Sequence, residues 1–203
     1  ITALVASLGI GGVAVALALQ NILGDMFASL SIALDKPFEI GDFIVVDGLP
    51  GTVEYIGIKT TRVRALSGEQ IVLSNADLLR SRIRNFKRMS ERRVPFQFGV
   101  LYSTPHEKVE RIPEMVRAII AQQPKTRFDR AHFKEYGDSA LVFEVVYFVQ
   151  DPDYNVYMDI HQAVNLALLR RFREEGIEFA YPTRTLHIAS PAPADTLHPG
   201  GTS

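Results

Sequence analysis

The sequence contains no cysteine. That absence removes disulfide frameworks, thiolate metal sites and cysteine nucleophiles together, and it fits a reducing compartment. A charge imbalance is also lacking. Lys and Arg number 22 against 23 Asp and Glu, a formal charge of −1 at pH 7, so no global field argues for nucleic acid as the partner. Reaction motifs are missing as well: there is no Gly-x-Ser-x-Gly, no P-loop and no dinucleotide-type glycine pattern before a helix. Gly9-x-Gly11-Gly12 has no strand ahead of it and no acidic ribose ligand after it. His106, His132, His161, His187 and His198 are scattered without metal-ligand spacing, and His161 reads as a partly exposed helix residue. Glu54, Glu69, Asp77 and Asp138 read as turn or surface residues. No enzyme activity, cofactor or metal is expected.

Charge is also absent from Ile1 through Gly24. At about 1.5 Å per residue, that length crosses the ~30 Å hydrocarbon core of a bilayer as a helix. It exceeds a typical signal-peptide core. Its composition is unusual for an anchor, because Gly9, Gly11, Gly12, Ala14, Ala16 and Ala18 interleave with Val13, Val15, Leu17 and Leu19. On a helical wheel, Ile10, Val13, Leu17, Gln20 and Gly24 share one stripe, and Leu8, Val15, Leu19 and Ile22 share a roughly opposite one. Between them run two seams of small residues, Gly9/Gly12/Ala16 and Gly11/Ala14/Ala18. Small side chains let helix backbones approach closely within a membrane. Two seams suit a helix with an identical neighbour on each side, which is a ring. The inward stripe then presents Val13 and Leu17 to a pore as an apolar constriction that sheds water.

Asn21 and Gly24 are poor helix formers and, with Gln20, mark the expected bend. Beyond it, Ile22, Leu23, Met26, Phe27, Leu30 and Leu34 continue an apolar face, predicting an amphipathic segment at the membrane interface or packed on the following domain. Pro37 ends it. The chain opens within an apolar segment without an initiator Met, and is expected to be the C-terminal part of a longer membrane protein.

From residue 38 to 85 the pattern is short strands between turn signals. Strands are predicted at Phe43–Val46, Thr52–Ile58, Lys59–Arg64 and Gln70–Ser74, with a turn over Asp47–Gly51. Asn75 is the expected cap of a short helical turn through Leu79. Many short strands divided by glycine turns predict a small barrel or sandwich.

Several motifs follow one another in this region: Lys36-Pro37-Phe38-Glu-Ile-Gly41-Asp42, Gly51-Thr-Val-Glu54, Thr60-Thr61-x-Val-Arg64, Gly68-Glu69 and Leu73-Ser-Asn75. With the Gly/Ala-rich helix ending in Leu-Gln, this ordered set resembles the mechanosensitive channel of small conductance (MscS) family, as far as about Ala189. The resemblance implies a homo-heptamer in a bacterial inner (cytoplasmic) membrane, with everything after residue 36 in the cytoplasm. Its third transmembrane helix lines the pore, an Sm-like β domain lies below, and an α/β domain forms a perforated vestibule. The function implied is a tension-gated channel that releases ions and small osmolytes on hypoosmotic stress, in contact with membrane lipids. Val13 and Leu17 fall where the family places its two constricting rings, which are both Leu in its best-known member. Asn21 falls at the kink, where that member has Gly.

Arg80, Arg82, Arg84, Lys87, Arg88, Arg92 and Arg93 form a basic run opposed only by Glu91. Two functional readings are a lining that attracts anions into a vestibule and a nucleic-acid site; a solvated linker face is the plainer one. Aromatic interleaving is limited to Phe86, so nucleic acid is not expected as a partner.

From Val94 alternation through Tyr102 predicts a strand. Thr104-Pro-His-Glu107 predicts a capping box with Pro at the first helical position. The helix that follows buries Val109, Ile112, Val116, Ile119 and Ile120 and is bent or interrupted at Pro113. His132–Tyr136 and Ala140–Val149 flank a hairpin at Gly137-Asp138. A second helix from about Val156 to Glu175 buries Ile160, Val164, Leu168 and Phe172 and stops at Gly176. With a strand at Ile177–Phe179, this order predicts a ferredoxin-like α/β sandwich. The expected division is 1–36 (pore and interfacial helices), 37–85 (β domain), 86–181 (α/β domain), 182–190 (a last strand, joining a C-terminal barrel in the family) and 191–203 (disordered tail). A membrane-tethered Sm-like scaffold or RNA-binding module is the alternative reading.

Overall fold

The computed structural model describes residues 2–184, apart from the side chains of residues 2–11, Ala14 and Asn21. Helix α1 runs unbroken over Thr2–Asp35, 34 residues, a length of about 50 Å. The expected spanning and interfacial segments are therefore one secondary-structure element. Helix geometry carries through Gly24 because its neighbours favour helix and its lower end is held from outside.

A five-stranded antiparallel sheet follows, in the order β4-β3-β2-β1-β5. Its strands are β1 (Phe43–Val46), β2 (Leu49–Ile56), β3 (Thr60–Ala65), β4 (Gln70–Ser74) and β5 (Ile83–Asn85), with helix α2 (Asn75–Arg80) before the last. The turn expected over Asp47–Gly51 contracts to Asp47-Gly48, and Leu49, Pro50 and Gly51 pair with Val46, Val45 and Ile44. Both turn residues have positive φ, 49° and 84°, the geometry that lets a two-residue hairpin follow the strand twist. Gly51 is required for another reason. A Cβ there would lie 2.5 Å from Val63 Cγ1 and 2.6 Å from the Arg64 carbonyl oxygen, so any side chain would push β2 off β3. Strand β5 lies inside the basic run and had no alternating signal to announce it.

The cap of α2 is Ser74, which accepts from the Asp77 amide, rather than Asn75. Asn75 is fully buried and serves the interior. It accepts from the Thr61 hydroxyl at 2.8 Å, and its amide donates to the Gly57 carbonyl at 2.8 Å. The core of this unit joins Phe38, Ile44, Val46, Val53, Val63 and Leu78, and Ile32 of α1 completes it.

The second unit is a three-stranded antiparallel sheet, β6-β8-β7, from β6 (Arg92–Val100), β7 (Thr126–Tyr136) and β8 (Leu141–Val149), with α3 (His106–Ala121) and α4 (Tyr154–Glu174). Helix α3 starts without the expected capping box: Pro105 occupies the N-cap position and no side chain caps the helix. It continues unbroken past Pro113. Helix α4 is capped by Asp153, accepting from the Asn155 and Val156 amides, and buries Ile160, Val164, Leu168 and Phe172. Gly176, at φ 61°, ends its last turn. The strand expected at Ile177–Phe179 is reduced to one bridge between Phe179 and Val100, on the free edge of β6. Residues 182–184 carry no regular structure; the rest of the expected last strand and the tail lie outside the described residues.

Candidate functional site

The upper described part of α1, residues 12–20 apart from Ala14, is exposed on every side. Val13 is 60% and Leu17 64% exposed, and Val15 and Leu19 on the opposite stripe are also open. Gly12, Ala16 and Ala18 of the packing seams face outward as well; the side chains of Gly9, Gly11, Ala14 and Asn21 lie outside the described set. A helix that is apolar all round needs lipid or other helices around it. Among the described residues, Val15–Asp35 is long and apolar enough to cross a membrane.

The lower half of α1 is asymmetric. Asp25, Ala28 and Ile32 are buried and Ser29 is half-buried, whereas Ile22, Leu23, Met26, Phe27, Leu30 and Leu34 are exposed. The apolar face read from the sequence is thus the outer one, and a narrower face seats the helix on the β unit. Asp25 accepts from the Ser74 hydroxyl at 2.7 Å and the Ala76 amide at 3.1 Å. Ser29 donates to the Gly57 carbonyl at 3.2 Å, the same oxygen that Asn75 holds. The Leu73-Ser-Asn75 motif therefore grips the helix from below. Residues 25, 28, 29 and 32 follow helical i, i+3, i+4, i+7 spacing. Two polar groups on one stripe of an apolar helix were the available sequence signal, and it was missed.

Next to this grip lies an open groove of about 410 Å³ lined by Gln20, Gly24, Asp25, Ser74, Ala76, Asp77 and Arg80. It brings the expected bend residues Gln20 and Gly24 beside the first member of the basic cluster.

The end of α1 is fastened a second time. Lys36 leaves the helix at φ 46°, and its carbonyl accepts from the Arg88 guanidinium. The Asn85 amide donates to the Pro37 carbonyl at 3.3 Å and to Asp42 at 2.7 Å, and the Glu39 amide adds a second bond to this carboxylate. Lys87 stands 3.5 Å from Asp42. The basic cluster accordingly divides. Lys87 and Arg88 are fasteners. Arg80, Arg82 and Arg84 are exposed and make no ion pair among the described residues, with Arg84 over the Phe86 ring. Arg92 turns away, stacking on Tyr154 and Tyr157 of α4.

Burial of Asp42 alone pushes its pKa up, but bonds from Asn85, the Glu39 amide and Lys87 outweigh this and hold it below the ordinary 3.8. A carboxylate with a depressed folded-state pKa stabilises the fold above its ordinary value, and that contribution fades as pH falls toward the folded value. Asp42→Asn replaces an acceptor of three donors with a group that carries donors of its own. The variant is expected to unfold at lower denaturant than wild type at neutral pH, with the gap narrowing below about pH 4. Denaturant midpoints across that range check it; a gap constant with pH would show that Asp42 acts through shape alone.

Among the described residues no group of three or more His, Cys, Asp or Glu can hold a metal ion. What the arrangement offers is mechanical: an apolar helix, open above and clamped below at two places.

Known proteins are similar to this chain in sequence and fold. Residues 21–88 match the family model for the mechanosensitive ion channel beta-domain, and residues 94–179 match that for the MscS C-terminal domain. The small-conductance mechanosensitive channel MscMJ of Methanocaldococcus jannaschii is 41% identical over 189 residues, covering 93% of this chain and 54% of that protein. The low conductance mechanosensitive channel YnaI of Escherichia coli is 28% identical over 192 residues, 92% of this chain and 56% of that protein. The chain thus spans about half the length of the curated relatives it matches. Among solved structures, Helicobacter pylori MscS in its closed state aligns with a TM-score of 0.71 at 26% identity, covering 94% of this chain and 74% of that one. Arabidopsis thaliana MSL1 shares the fold at a TM-score of 0.75 and 19% identity, covering 86% and 64%. On these matches, the chain belongs to the MscS family of mechanosensitive ion channels.

Proposed function

We propose that this chain supplies the pore helix and the domains below it in a subunit of a tension-gated membrane channel, passing ions and small osmolytes under hypoosmotic stress. The observation that carries the reading is the asymmetry of α1: apolar and open on all sides above, bonded to the β unit along one narrow face below. In a ring of identical subunits, seven by family resemblance, the Gly9/Gly12/Ala16 and Gly11/Ala14/Ala18 seams pack neighbouring helices. Val13 and Leu17 then close the pore, and lipid meets the outer surface.

Gln20, Asn21 and Gly24 lie between the open and clamped parts, so this is where α1 bends as the pore widens. The five-stranded sheet serves as the Sm-like base and the βαββα unit as the ferredoxin-like vestibule wall, both on the cytoplasmic side of a bacterial inner membrane. Arg80, Arg82, Arg84 and Arg88, with Lys87 paired to Asp42, lend that side a positive potential. Tension does work over the area difference between closed and open states, and this supplies the differential stabilisation a switch requires.

Patch-clamp recording of the full-length protein under graded suction tests the proposal. Stepwise currents that rise with tension are expected. A membrane verified to contain the protein yet electrically silent up to rupture would overturn it.

A further inference from the structure

A second polar arrangement, unused by the pore reading, lies between α4 and the three-stranded sheet. His161, half-buried on α4, sits among aromatic rings: Phe96 edge-on at 5.4 Å, Tyr157 stacked at 5.8 Å and Tyr147 stacked at 6.4 Å. Its Nδ1 is 3.1 Å from the Tyr147 hydroxyl oxygen. Tyr147 is fully buried, and among the described residues its hydroxyl has no other partner. A buried hydroxyl needs an acceptor for its proton, so Tyr147 donates to Nδ1 and the neutral ring carries its own proton on Nε2.

The groups facing this ring are few. Strand β8 contributes Tyr147, and α4 contributes Tyr157 with Tyr154 one turn earlier. Strand β6 contributes Phe96 and Arg92, whose guanidinium lies over Tyr157 at 5.4 Å and Tyr154 at 5.5 Å. No carboxylate bonds to His161 among the described residues. A proton on Nδ1 would remove the only acceptor Tyr147 has among the described residues and place a second cation beside the ring that already carries Arg92. Cation–π attraction offsets part of that cost, but burial still holds the His161 pKa below its ordinary 6.5.

We propose that the Tyr147–His161 pair is a pH-sensitive lock that seats α4 on the sheet near neutrality and loosens it in acid. With the folded-state pKa below the unfolded one, the lock is fully closed above the ordinary histidine value and weakens as pH falls toward the folded value.

Amide hydrogen exchange of the full-length protein in detergent tests this, read as protection of α4 relative to residues 112–121 of α3, so that the intrinsic pH dependence of exchange cancels. Between about pH 7.5 and about pH 5, on either side of the ordinary histidine value, the wild-type ratio is expected to fall several-fold. His161→Gln, uncharged at both, is expected to show no fall. Tyr147→Phe keeps the ring and removes the bond favouring neutral His161, so the fall is expected at higher pH. A constant wild-type ratio, or an undiminished fall in His161→Gln, would overturn the lock. If His161→Gln does not assemble, Tyr147→Phe decides, and a midpoint equal to wild type overturns it.

Discussion

Leu17→Ser is expected to lower the tension at which the proposed channel opens, and the shift is the largest functional change expected from a single substitution in α1. Leu17 projects from a stretch of helix with no partner among the described residues and is 64% exposed there. In the proposed ring it meets its own copies across the pore. A leucine taken fully out of water gains about 1.5–3 kcal/mol, a ceiling for each copy in the closed constriction, and a narrow apolar ring also excludes water from the conducting path. Serine gains almost none of this and hydrogen-bonds water where leucine repels it. Because every subunit carries the change, even a fraction of that ceiling repeated around the ring is large against the work tension must supply. Val13→Ser is expected to act in the same direction and more weakly, since valine has less surface to remove from water. Leu19→Ser, on the opposite stripe, is the control and leaves the threshold nearly in place. Equal shifts at Leu17 and Leu19 would mean that the inward stripe is wrongly assigned.

Much of the fold was legible because its elements carry strong local signals. The four buried positions of α4 stand at helical spacing and are the four that the structure buries. Strands β1, β3, β4 and β8 alternate or are bounded by turn residues, and they appear within a residue or two of their expected ends. The failures have physical reasons. Pro50 and Gly51 look like turn residues, yet a turn needs only the two positive-φ positions, and Asp47 and Gly48 supply both. Thr104 looked like a helix cap, but Pro105 in an extended conformation took that place. Strand β5 is three residues long, too short for periodicity, and its existence follows only from pairing with β1. The apolar helix was legible because composition alone marks it; the contacts at its base were not. Asp25 is the first charge after the charge-free run; its partners, Ser74 and Ala76, lie far along the chain and could not be inferred from spacing.

Ile32 shows the same gap between stripe and contact, and its substitution carries the largest expected change in stability. The sequence-level face of the lower helix comprised Ile22, Leu23, Met26, Phe27, Leu30 and Leu34, all of which are exposed. Ile32, outside that set, is 1% exposed and sits among Phe38, Ile44, Val46, Val53, Val63 and Leu78. Ile32→Ala should cost about 2–5 kcal/mol, the range for truncating a buried aliphatic side chain. The upper part of that range is favoured here, because Ile44, Val46, Val53 and Val63 are fixed on paired strands and cannot close the gap without distorting their ladders. Phe27→Ala removes a larger side chain from the same helix, but one 70% exposed, and should change stability by no more than about 0.5 kcal/mol. Denaturant midpoints of the two variants in detergent measure the difference. A clear deficit for Ile32→Ala alone places the anchor of α1 in the β core; equal losses would mean that the outer face, not the docked one, holds the helix.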